Sequence, residues 1–71
     1  MGNFKETYFV DDAETLTAEV HQAEPTLWRA TLTSSYRGEI HNILFSDFSV
    51  AVEAIKQLAD ATIGTIKENN E

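Results

Sequence analysis

The sequence predicts an α+β fold, an antiparallel sheet of three to four strands packed on one face by a single C-terminal helix. Three observations predict it. Phe48, Ala51, Val52, Ile55, Leu58, Ala59, Thr62, Ile63 and Ile66 recur every three or four residues. They fall within an arc of roughly 140°, the mark of an amphipathic helix with one buried face. Upstream, the apolar period is two. Leu16, Ala18 and Val20 alternate with Thr15, Thr17, Glu19 and His21, and Trp28, Ala30 and Leu32 alternate with Leu27, Arg29, Thr31 and Thr33. Turn residues separate these runs, at Glu24-Pro25 and at Ser34-Ser35-Tyr36-Arg37-Gly38.

The first element, residues 4–10, reads FKETYFV, aromatic and β-branched enough for a strand. Asp11-Asp12-Ala13-Glu14 follows as a turn, and a short helix or a loose arm is the competing reading of 4–10. The second strand, 15–23, ends before Pro25, which cannot donate to a central ladder. The third covers 27–33, and Gly38 can supply a positive φ in the turn after it. The fourth covers 39–46. The helix covers 47–66, with Ser46, Asp47 or Ser49 accepting a bond from an unpaired first-turn N–H. Gly64 weakens its last turn, and 68–71 is a polar tail expected to fray. Nothing marks a linker or repeat, so 1–71 reads as one domain.

Folding the strands about their turns gives a register. His21 falls opposite Arg29 and Glu19 opposite Thr31; then Thr31 falls opposite His41, Arg29 opposite Ile43 and Leu27 opposite Phe45. The other face holds Leu16, Ala18, Val20, Trp28, Ala30, Leu32, Ile40 and Leu44 as a floor for the helix, with Trp28 facing Leu58. Asn42 spoils that floor, because an unpaired buried amide costs roughly 1–3 kcal/mol. Either Asn42 lies at the sheet margin or a bulge shifts the last strand.

Composition removes several function classes. Twelve acidic and five basic residues leave a net charge of −7, which disfavours duplex nucleic acid and anionic membrane surfaces as direct partners. No apolar run is long enough to span a bilayer, and no secretion signal is visible. Glu6 stands where an N-myristoylation signal following Met1-Gly2 needs Ser or Thr. The chain lacks cysteine, so neither a disulfide framework nor thiolate zinc is available. A cytoplasmic protein is the expectation.

No constellation points to catalysis, a cofactor or a metal. His21, His41 and Glu19 share the outer sheet face in this register, but the two histidines lie on strands flanking the central one, about 10 Å apart. Zinc requires three or four ligands converging at about 2 Å. The serines sit at turns and caps, and three scattered glycines form no phosphate cradle. The expectation is a non-enzyme.

Three features are candidates for binding. Six acids precede Pro25 against one base, Lys5. Asp11, Asp12 and Glu14 are then either solvated surface or a negative patch for a partner protein with a basic surface. On the outer sheet face, Leu27, Ile43 and Phe45 with nearby Tyr36 form an apolar patch, either a partner surface or ground covered by the N-terminal segment. On the helix, Val50, Ala54 and Ala61 widen the apolar arc to roughly 220°. Ala54, Leu58 and Ala61 are therefore a candidate homodimer seam, unless alanine is there only for its helix propensity.

The order strand, strand, strand, helix over Leu27 to Ile63 resembles the N-terminal module of HicB-type antitoxins. Trp28 opens a strand there, and Phe48-Ser49-Val50-Ala51-Val52-Glu53-Ala54 opens the helix. The same order is similar to the sheet-plus-helix part of double-stranded-RNA-binding domains. Ile43-Leu44-Phe45-Ser46-Asp47 stands where the first family has a proline- and glycine-rich turn, and the basic helix start of the second is missing. No function is carried over from either. The expectation is a small acidic interaction module that occludes or modulates a partner protein, as phage-type inhibitors and antitoxins do. A nucleic-acid mimic aimed at a basic groove, a small enzyme and a structural subunit are the alternatives.

Overall fold

The structure, a computed structural model, describes residues 3–69. Four strands, β1 (Phe4–Phe9), β2 (Thr15–Glu24), β3 (Leu27–Ser34) and β4 (Gly38–Phe45), form one antiparallel sheet in the order β1-β2-β3-β4. The helix α1 (Phe48–Asn69) packs on one face, over β2 and β3. Residues 4–9 are thus a full strand, paired Phe4 to Val20 through Phe9 to Thr15, and they extend the sheet rather than fold over it. Asp47 caps α1. Its side chain accepts a bond from the Val50 N–H at 3.0 Å and its carbonyl accepts one from Ala51. The helix continues past Gly64, which is exposed and not at positive φ, and takes in Glu68 and Asn69 of the tail expected to fray. The remainder of that expectation, at 70–71, and the reading of Met1-Gly2 lie outside the described residues.

From Leu16 to Gln22 the first hairpin has the register the turns predict, with His21 opposite Arg29 and Glu19 opposite Thr31, and an irregularity at Ala23 then brings Leu27 opposite Glu24. The second does so only near its turn, where Thr33 pairs with Glu39 and Ser34 with Gly38 at φ +86°. A bulge then intervenes. Leu32 pairs with His41, leaving Ile40 as the extra residue, and every later pair moves by one: Thr31 with Asn42, Arg29 with Leu44, Ala30 with Ile43 and Trp28 with Phe45. One inserted residue turns a strand over.

This corrects the expected faces. Ile43 and Phe45 lie on the helix side, His41 joins them, and Leu44 and Asn42 face outward. Asn42 is satisfied there, accepting from Arg29 at 2.6 Å and donating to Glu39 at 3.1 Å. The buried-amide problem disappears because the strand rotates it away.

The core is Val10, Leu16, Ala18, Val20, Ala30, Leu32, Ala51, Ile55, Ala59 and Ile66. A helix about 10 Å across covers two strands spaced about 4.8 Å, not four. On the β1 side Phe4 and Tyr8 lean in against the core; burial first, then the bond to Glu6, pushes the Tyr8 phenol up to about 12. On the β4 side coverage is thinner, and Ile43 remains 38% exposed. Trp28 and Leu58 both border the core but do not face each other. Leu58 lies beside Ile40 and His41, whereas Trp28 pairs with Phe45 four residues further along the ladder. The Trp28 Nε1 is enclosed without an acceptor among the described residues.

Candidate functional site

Antiparallel geometry brings the β1–β2 and β3–β4 turns to the same end of the sheet, and a buried carboxylate ties them together. Glu14 is only 5% exposed. It accepts from the Ser34 hydroxyl, from the Arg37 Nε at 2.9 Å and from a second Arg37 nitrogen at 3.4 Å. Ser34 Oγ in turn accepts from the Tyr36 and Arg37 N–H groups at 3.0 and 2.9 Å, which closes the turn. Sequence reasoning missed this knot although its signal is present. Glu14 continues the inward series Leu16, Ala18, Val20 by one period, and Ser34 continues Ala30, Leu32 in the same way.

The consequence for the surface is an aromatic set beside an anchored guanidinium. The Arg37 guanidinium lies 5.9 Å from the centre of the Tyr36 ring, within cation–π range. Tyr36 itself is 77% exposed, and Phe9, at the end of β1, is 78% exposed. Two strand spacings of about 4.8 Å separate β1 from β3 at this end. Asp11 and Asp12 sit in the intervening turn, both exposed, with Asp11 accepting from the Ala13 N–H at 2.8 Å. The structure therefore gathers Asp11, Asp12 and Tyr36 at one pole, adds Phe9, and withdraws Glu14 into a structural role.

Hydrogen bonds from Ser34 and then Arg37 hold the Glu14 carboxyl below the usual carboxylate range, against an opposing push from burial. A depressed folded-state pKa means the unfolded chain binds the proton more readily. Stability is then fully present above about pH 4.3, the unfolded value, and is lost as pH falls through the depressed one. Glu14→Gln should lower the thermal midpoint at neutral pH and flatten the acid limb, as circular dichroism melts at stepped pH would record. A residual slope should remain, because a bond from His21 likewise lowers the Glu19 carboxyl.

The other expected clusters are rearranged. Leu27 stays on the outer face while Ile43 and Phe45 leave it, so these three make no common patch. Ala54 and Leu58 are half-buried and Ala61 is exposed. Leu58 and Ala61 line a groove of about 430 Å³ between α1 and β4, together with Arg37, Ile40, His41, Thr62, Thr65, Ile66 and Asn69. The outer face is polar, with Thr7, Thr17 and Thr33 in one row and Lys5, Glu19, Thr31 and Asn42 in the next. His21 there bonds Glu19 at 3.0 Å, and Lys5 lies 3.6 Å from the same carboxylate. His41 lies on the opposite face of the sheet. Among the described residues no three His, Asp or Glu side chains gather as a metal would need, and no helix is long and apolar enough to cross a membrane. No family model, curated protein or solved structure matches this chain.

Proposed function

We propose that this chain is a non-enzymatic interaction module whose turn pole, Phe9, Asp11, Asp12 and Tyr36, docks on the basic surface of a partner protein and occludes or modulates it. One observation carries the reading: Tyr36 is 77% exposed and its ring lies beside the guanidinium that Glu14 anchors. Aromatic side chains are enriched among the residues that dominate interfaces. Two carboxylates beside them add steering toward positive charge. Mimicry of a nucleic-acid backbone is less well supported, since Glu14 and Glu19 are engaged within the fold and leave no regular acidic row.

Photo-crosslinking in the native host tests this reading, with a benzophenone amino acid at position 36 and, as control, at position 27. A partner captured from 36 and not from 27 is the expected result. Tyr36→Ala should weaken binding to that purified partner by at least roughly tenfold. Asp11→Asn with Asp12→Asn, which preserves the turn bond, should slow association and reduce its salt dependence. Equal capture at both positions, or affinity indifferent to all three changes, would remove the pole from consideration.

A further inference from the structure

We infer that the open edge of β4 is a self-association surface, and that a second copy of this chain pairs with it antiparallel to form a continuous eight-stranded sheet. The two edges of the sheet differ in how they resist strand addition. β1 carries Lys5 and Glu6, charges of the kind that keep edges unpaired. From Asn42 to Phe45, β4 carries none, and it exposes apolar side chains on both faces, Ile43 at 38% and Leu44 at 45%.

Charge and size argue for a second copy as the occupant. Two chains of net charge −7 repel wherever their acids meet. Asn42–Phe45 is an uncharged stretch of edge on which they can meet. The regular stretch beyond the bulge, His41–Phe45, is roughly 17 Å of edge, and the same stretch of a second copy matches it in length.

The bulge sets the register. Beyond it, His41–Phe45 is the regular stretch, with Ile43 at its midpoint. A two-fold axis there places Ile43 against Ile43 of the second copy, His41 against Phe45 and Asn42 against Leu44. Antiparallel partners share a face, so the helix-side residues meet one another, and within His41–Phe45 no acid opposes an acid. With α1 over β2 and β3, the two helix axes stand about 19 Å apart, beyond the 8–10 Å of packed helices. The helices do not touch, and the two grooves open into one trough. This surface is separate from the turn pole, and either can fail without the other.

The absence of native cysteine allows a clean test. Ile43→Cys should cross-link to itself under mild oxidation, since paired Cα atoms at 4.5–5.5 Å suit a disulfide; Ala61→Cys should not. By sedimentation the wild type should reach twice 7.9 kDa at micromolar concentration. Leu44→Lys should weaken association by roughly a hundredfold with an unchanged circular dichroism spectrum, and Thr7→Lys on β1 should leave it intact. A wild-type monomer at hundreds of micromolar overturns the proposal. So does a dimer that survives Leu44→Lys, or one that Ala61→Cys cross-links and Ile43→Cys does not.

Discussion

Leu32→Ala is expected to cost about 4 kcal/mol, in the upper part of the range for buried leucine truncation. Leu32 is fully buried in the interior strand β3 and pairs with Ala18 and His41. The reason for the high value lies in its surroundings. Ala18, Ala30, Ala51 and Ala59 make up much of the core, and alanine has no side chain that can swing into a void. The cavity therefore stays open. A chain of this size has a total stability of roughly 4–10 kcal/mol, so the variant should be largely or wholly unfolded at 37 °C. Urea titration followed by circular dichroism measures it. Leu32→Met, which conserves volume, should cost less than about 1.5 kcal/mol.

Deleting Ile40 is expected to be tolerated far better than loss of a strand residue usually is, because Ile40 is the half-buried extra residue of the bulge. The deletion makes the pairs on either side, Thr33 with Glu39 and Leu32 with His41, consecutive in a regular ladder. Asn42 stays opposite Thr31 on the outer face, and Ile43 and Phe45 stay on the helix side. The loss is the half-buried Ile40 side chain, a part of the about 1.5–3 kcal/mol of full burial. Ile40→Val keeps the residue count and should cost no more than about 1.5 kcal/mol. Denaturation midpoints of the two variants separate an effect of length from an effect of side-chain size. A deletion midpoint far below that of Ile40→Val would mean that the bulge itself, and not only its side chain, stabilises the sheet.

Much of the fold was legible because period two and period 3.6 are distinct over ten-residue windows, and Pro25 and Gly38 punctuate them. The same patterning could not locate the bulge, since an inserted residue leaves composition and hydropathy unchanged. Asn42 was the trace it left, an amide on a face where amides do not belong. Acting on that trace would have moved Ile43 and Phe45 to the helix side and dissolved the outer patch with Leu27. Glu14 was misread for a different reason. A carboxylate in an acidic turn resembles surface, and its burial depends on Ser34 and Arg37, which arrive from 20 and 23 residues away. Tyr36, Asp11 and Asp12 could be named one by one as candidates for binding, but only the pairing of the strands brings them to one pole.

In the strand order β1-β2-β3-β4 every neighbour in the sheet is also a neighbour in the chain, joined by connections of two to five residues. Such local connectivity favours rapid folding, and individual hairpins close in about 1–10 μs. On a ribosome adding roughly 5–20 residues per second, the strands can therefore pair as they emerge. The cover is made last. Leu16, Val20 and Leu32 lie beneath a helix that begins at Phe48, so the nascent sheet waits on the order of seconds with its apolar face bare. During that interval the chain depends on whatever shields nascent hydrophobic surface, and its yield in the cell should track synthesis speed across α1 more closely than the stability of the finished protein.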